Sequence, residues 1–338
     1  MSSSSNKKTK IDIVIPWVDS NDPEWLREKN KYMGNASGDI DARDCRYREW
    51  DNLKYVFRSI EKFAPWVNKV HFITCGHLPP WLNTECPKLH IVNHKDYIPE
   101  EYLPTFSSHV IELNMHRIKG LSERFIYFND DIFLLRPVKP ENFFRNGLPC
   151  DCNIQNLLVP STVTFTPIVF KTVGYINKHF SKRKSILEHP GSFINPRYGI
   201  VGNTRNLLFA PWKDYTGFFN HHLAVSYLKS TFEEVWREEP EVLEETCRHR
   251  FRDNNDVNQY ICRFWQIASG RFVPNDLHGK YFKVTGNNTG KIIRYIKGKK
   301  GRMICINDDV FDGDFETIKR EINGALNEML PEKSSFEK

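Results

Sequence analysis

The stretch FIYFNDDIFLLRP, Phe125 to Pro137, constrains the fold more than any other part of the chain. Phe125, Ile126, Tyr127 and Phe128 are aromatic or β-branched, the pattern of a short buried strand. The run breaks at Asn129, Asp130 and Asp131, and apolar character resumes from Ile132 to Leu135. Two adjacent carboxylates between apolar runs are costly to desolvate unless something cationic satisfies them. Hard divalent cations such as Mg²⁺ favour carboxylate oxygens and often bind through one or two of them. The plainer explanation is a strand-end turn whose Asp residues only cap or solvate a loop.

A second strand is expected over Ile11 to Val18, followed by the polar turn Asp19-Ser20-Asn21-Asp22-Pro23. Loops at the carboxyl ends of strands are where α/β proteins seat ligands. The segment from Trp17 through Asp19 and Ser20 is therefore a candidate donor-binding loop, against the alternative of an ordinary Asn/Asp turn. Residues 41–63 carry a helical stripe through Trp50, Leu53, Val56, Ile60 and Phe63, with Arg43, Arg46, Arg48 and Arg58 as solvated charges. Strands follow at 70–74 and 89–92, then a helix near 108–118 stopped by Gly120. This alternation predicts an α/β, Rossmann-like architecture with a mainly parallel sheet flanked by helices.

Residues 138–215, rich in Pro, Gly and aromatic side chains, predict short helices and an inserted lid or acceptor-side region. Helices are expected within 227–236, 258–268 and 315–330. Residues 280–306 suggest a β-hairpin, and its last strand runs into Asn307-Asp308-Asp309. The basic run Lys291, Arg294, Lys297, Lys299, Lys300 and Arg302 then decorates a solvated hairpin or meets an anionic lipid headgroup or polymer.

The net charge of +6 suits an anionic ligand or a membrane surface and falls short of a nucleic-acid-binding signature. The polar start MSSSSNKKTK predicts a disordered tail over residues 1–10 and is no signal peptide or anchor. No apolar stretch is long enough to span a bilayer. The eight Cys show no paired zinc spacing; Cys150 and Cys152 suggest half-buried thiols, and a reducing cytosol is the expected compartment.

Two N-D-D triplets, the Asp19–Asp22 loop, His221-His222, and the cluster Arg248, His249, Arg250, Arg252 and Asp256 are the ingredients of phosphoryl transfer. Core histidines and a solvated helix face are their ordinary counterparts. The chain resembles the Stealth family of hexose-1-phosphate transferases. That family includes bacterial capsule and cell-wall polysaccharide phosphotransferases and the catalytic part of the animal GlcNAc-1-phosphotransferase. The resemblance rests on IDIVIPWVDSNDPEW (11–25), the block 46–82, LPTFSSHVIELNMHRIKGLSERFIYFNDDIFL (103–134) and the block 305–337.

The resemblance implies a nucleotide-sugar transferase-like fold over 11–338. It implies a UDP-hexose or UDP-N-acetylhexosamine donor, Mg²⁺ or Mn²⁺, and a lipid-linked or polymeric glycan acceptor at the inner face of the plasma membrane. Asp130, Asp131, His222 and Arg252 would be catalytic. Asp130, Asp131 and Asp308 would hold the metal, and Trp17, Asp19, Ser20, Asn129 and Asp256 would bind substrate. Whether His221 or His222 is the base stays open at this point. A glycosyltransferase releasing UDP and a catalytically idle glycan-binding subunit are the rival readings.

Overall fold

The structure, a computed structural model, describes residues 10–34, 49–159, 165–276, 278–308 and 313–338. Most of the expected tail, Arg43, Arg46, Arg48 and Asp309 lie outside the described residues.

The strands are β1 (Ile11–Pro16), β2 (Val70–Thr74), β3 (Leu89–Asn93), β4 (Arg124–Tyr127), β5 (Ile132–Leu134), β6 (Phe144–Arg145), β7 (Leu148–Asp151), β8 (Val225–Leu228), β9 (Val273–Pro274), β10 (Gly279–Lys283) and β11 (Met303–Asn307). The helices are α1 (Pro23–Met33), α2 (Leu53–Phe63), α3 (Ser108–Leu113), α4 (Thr166–His179), α5 (Lys182–Glu188), α6 (Pro190–Phe193), α7 (Gly199–Phe209), α8 (Lys229–Glu238), α9 (Pro240–Arg248), α10 (Tyr260–Ala268), α11 (Thr289–Gly298) and α12 (Phe315–Met329).

The central sheet has the order β3-β2-β1-β4-β8. Its first four strands are parallel, and β8 runs antiparallel to β4 with Tyr127 opposite Val225. The α/β, Rossmann-like expectation therefore holds. Apolar residues alternate between faces: Ile126 and Phe128 pack with α2 and α12, while Phe125 and Tyr127 pack with α8 and α10. Chain order runs outward from β1 to β3 and then returns to β4 on the other side of β1. The gap between β1 and β4 is thus the switch point where an α/β sheet opens a crevice. The Asp19 loop and the N-D-D turn both leave the sheet there.

A second sheet, β10-β11-β5, lies beside this crevice, with Cys305 opposite Ile132. Here the hairpin expectation fails. Strands β10 and β11 are parallel, and α11 connects them. Ile292 and Ile296, one helical turn apart, are fully buried, so the 3.6-residue period outweighs the Gly and Asn turn signals. The basic run consequently sits on a helix and its exit, where Lys297 pairs with Glu328 at 2.5 Å. The helix of the third block also ends early, at Leu113, with a 3₁₀ turn over Met115–Arg117. Within 138–215, α4 and α7 are longer than the expected short helices.

Because α11 is a buried crossover, Ile296→Ala should cost about 2–5 kcal/mol by urea unfolding. Lys300→Ala, exposed just beyond the end of the helix, should stay within about 0.5 kcal/mol; equal effects would contradict the helix.

Candidate active site

Three chain segments converge at the end of β4. The turn Asn129-Asp130-Asp131 connects β4 to β5, and the Ile132 N–H closes it on the Asn129 carbonyl at 3.3 Å. Strand β11 ends against it: Asp131 Oδ2 accepts from the Cys305 thiol and from Asn307 Nδ2, each at 3.2 Å. The Ile306 N–H donates to the Asp131 carbonyl at 2.9 Å. Because β8 is antiparallel, it begins where β4 ends, and this delivers His222 to the same place. Ligand atoms of Asp131, His222 and Cys305 all lie within 4.8 Å of one another.

The electrostatics here are those of an under-compensated acidic cluster. Asp131 Oδ1 is buried without a hydrogen-bond partner among the described residues. Asp130 is exposed to solvent, although protein atoms crowd it on its other sides. Desolvation, then the carboxylates of Asp131 and Glu49, push its carboxyl up to about 8. Burial likewise raises Glu49, with Asp51 and Asp19 adding to the repulsion. Burial and the Asp131 charge push the Cys305 thiol up, so it acts as a hydrogen-bond donor rather than a thiolate ligand. Crowded carboxylate oxygens with one orphaned lone pair fit a hard divalent cation better than a soft one. Asp130 and Asp308 do not belong to the tight trio around Asp131, although Asp308 directly follows the strand end that touches it.

The two adjacent histidines occupy opposite environments. His222 is half-exposed, with φ +46° and its ring edge-on to Tyr281 at 5.2 Å. A β-carbon in that region of φ is strained, a feature that concentrates at functional sites. His221 points inward: its Nδ1 accepts from the Leu223 N–H at 3.1 Å, and its Nε2 lies 3.7 Å from Asp151. Burial, then the Arg263 charge, pushes its pKa down to about 4. Arg263 grips Asp151 bidentately, with both nitrogens at 2.7 Å, and donates to the Phe219 carbonyl at 3.1 Å. This buried pair anchors the segment that carries His222.

Arg252 reaches Ser108 Oγ at 2.7 Å, and its charge favours the ionised form of buried Glu112. Desolvation still pushes Glu112 up to about 7, while Tyr127 of β4 donates to it at 2.8 Å. Asp256 is fully buried and accepts from His109, His249 and the Asp253 N–H, so it can act on a ligand only through those neighbours.

At the first loop, the Asp19 N–H donates to His77 Nε2 at 2.6 Å, Trp17 stacks on Phe72, and Ser20 is buried. Asp22 caps α1 by accepting from the Trp25 N–H at 2.7 Å, the ordinary turn role. A cavity of about 630 Å³ opens at the ends of β2 and β3, lined by Trp25, Glu28, Cys75, Asn93, His94 and Phe106 among others. None of Asp131, His222 and Cys305 lines it.

Residues 9–37 match "Stealth protein CR1, conserved region 1" and residues 46–150 match "Stealth protein CR2, conserved region 2". The capsular polysaccharide phosphotransferase WcwK of Streptococcus pneumoniae is 42% identical over 332 residues, 97% of this chain and 98% of its own. The chain belongs to the Stealth family. This Stealth protein is also 37% identical over 331 residues to the exopolysaccharide phosphotransferase cps2G of Lactiplantibacillus plantarum, covering 97% and 96% of the two chains. Among solved structures, the galactosyltransferase LgtC aligns over 96% of this chain and 98% of its own, at 9% identity and a TM-score of 0.40.

No local sequence pattern marks Cys305, Glu49 or Glu112 as site residues, and Asn307 stands out only as part of the second triplet, for its acidic neighbours rather than its amide.

Breaking the anchor with Asp151→Asn should cost about 3–5 kcal/mol. In the wild type, Arg263 and His221 outweigh desolvation and hold the Asp151 carboxyl below its usual range. Unfolded His221 takes up a proton near pH 6.5, whereas the folded form does so only at about 4. Stability should therefore fall as pH drops from about 6.5 to 4, and fall further below pH 4 as Asp151 is protonated. Thermal denaturation across pH checks both, and a flat profile over that range would contradict them.

Proposed function

We propose that this Stealth protein is a polysaccharide phosphotransferase. It moves hexose-1-phosphate or N-acetylhexosamine-1-phosphate from a UDP-sugar to a hydroxyl of a glycan acceptor, releasing UMP. The observation that carries the reading is the apposition of Asp131 and His222 at the switch-point crevice. Kinship with WcwK and cps2G, both named as phosphotransferases, supports the reaction class.

In this mechanism the acceptor hydroxyl oxygen attacks the phosphorus nearest the sugar. The bond from that phosphorus to the bridging oxygen breaks, and the electron pair leaves with UMP. His222 takes the hydroxyl proton on a ring nitrogen, a task suited to imidazole near neutral pH. Arg252, permanently charged and planar, holds the equatorial oxygens of the transferring group. Asp130 and Asp131, with Asp308 alongside, would hold Mg²⁺ or Mn²⁺, which would supply neutralising charge to the diphosphate. Asn129 orients the turn, while Trp17, Asp19 and Ser20 seat the nucleotide. Asp256 fixes His109 and His249 behind the Arg252 segment. The acceptor enters over residues 138–215 from the cytoplasmic side.

A metal-dependent glycosyltransferase would use the same donor but attack the anomeric carbon and release UDP. Incubation with UDP-hexoses, Mg²⁺ and an oligosaccharide acceptor should yield UMP; UDP would favour that rival, and neither nucleotide a non-catalytic role. Asp131→Asn and His222→Ala should each lower turnover by at least about 10²-fold. Their melting temperatures should stay near wild type, and His222→Ala with wild-type rates would refute its role.

A further inference from the structure

Helix α7 is built inside out. Its exposed face carries Ile200, Val201, Leu207 and Leu208, and Trp212 follows two residues after Ala210. Ile200 is 87% exposed and Leu208 64%. A helix packed on a protein in water ordinarily turns its apolar stripe inward and its polar residues outward. Here the inward face is polar. Asn206 is fully buried, donating to the carbonyls of Asn153 and Phe193 and accepting from the Gln155 N–H at 2.7 Å. Asn203 donates to the Asn195 carbonyl and accepts from the Asn195 N–H. Gly202 lets the helix lie close, since a β-carbon there would sit 3.0 Å from Ile154 and Tyr198. Buried Lys182 donates to the Phe209 carbonyl at the far end of the helix. Rotating the helix to hide its apolar face would break every one of these bonds.

This face is part of a wider pattern. Of the twelve large apolar side chains exposed among the described residues, eleven lie between Leu157 and Phe219. The charge follows the same boundary. Residues 165–219 hold eight Lys or Arg and two acidic residues, a local excess of +6 equal to that of the whole chain. Arg183, Lys184, Arg197 and Lys213 are exposed in the same stretch of chain.

We propose that the outward face of α7, with Trp212 at its edge, is a membrane-interface surface that seats on a bilayer containing anionic phospholipid. Apolar side chains buried at the acyl boundary, an aromatic ring at headgroup level and cations at the phosphates are the elements of such binding. A second copy of the chain is the poorer occupant, because it would set one cationic surface against another. No helix of the described residues is long and apolar enough to cross a membrane, so the contact is in plane. Beyond Trp212 the chain runs through Phe219, which Arg205 overlies at 6.0 Å, to His222, so the surface is covalently close to the candidate base. The inference stands apart from the phosphoryl-transfer reading, since vesicle binding can be measured without any substrate.

The test is flotation of the full chain with vesicles of phosphatidylglycerol and phosphatidylcholine, against pure phosphatidylcholine. The wild type should float with the anionic vesicles, less so in high salt. The combined variant Leu207→Gln, Leu208→Gln, Trp212→Gln should bind at least about tenfold more weakly. It should keep its melting temperature, so that lost flotation is not lost folding. Arg183→Glu with Lys184→Glu and Lys213→Glu should also lose binding, whereas Lys299→Gln with Lys300→Gln on the α11 exit should not. Wild type that stays in the aqueous fraction overturns the proposal, as does equal flotation of the apolar variant. A dimer that this variant dissociates, with no flotation of the wild type, identifies a self-association face and overturns it too.

Discussion

The structure depends on a carboxylate held at the seam between two sheets. Asp131 ends the approach from β4 and starts β5, and it is the point where β11 docks. Its Oδ2 is satisfied by Cys305 and Asn307, while Oδ1 is left buried and unpartnered among the described residues. A half-satisfied anion at that depth is a destabilising feature by itself. Retaining it beside Asp130, whose carboxyl the Asp131 and Glu49 charges help push up, makes sense if a cationic ligand completes the cluster. The rest of the fold holds that arrangement in place.

The holding is done by buried polar pairs that flank the crevice without opening onto it. Asp151 and Arg263 fix the segment before β8, so His222 is presented from a rigid base although its own backbone is strained. On the other side, Asp256 collects His109 and His249, and Glu112 ties α3 to Tyr127 of β4. These groups are expensive to bury, and each is offset by specific partners. Their function is to fix positions, and the half-exposed groups Asp131, His222 and Arg252 are left for ligand. The same economy shapes α7, where buried Asn206 fixes the helix so that its apolar side faces out.

Much of this was legible in the chain because local physics fixed it. The apolar runs of β1, β2 and β4 are short, β-branched and bounded by Asp, Asn or Gly, and they form strands as expected. Asp22 with Pro23 is a helix start wherever it lies, and it proved to be one. The misreadings share a cause. Residues 280–306 carry both turn residues and a helical period, and only packing of Ile292 and Ile296 against the core selects the helix. Sequence could point to His221-His222 as a pair but not separate them, because burial of one depends on Asp151, 70 residues upstream. Cys305 carries no local mark of its role; its meaning comes from register with Ile132.

What the sequence by itself determined is the chemistry on offer and the family: acidic strand ends, two adjacent histidines, an arginine-rich segment, and conserved-region matches over 9–37 and 46–150. These are properties of residue type and short-range order, which the chain states directly. Only the tertiary structure decided which of those groups meet. Strand direction did so: antiparallel β8 and β11 bring residues near 222 and 305 to the end of β4, across sequence gaps that no local pattern spans. Burial then sorted neighbours of like chemistry into those that hold the site and those that face it, since desolvation is set by the whole fold rather than by sequence neighbours.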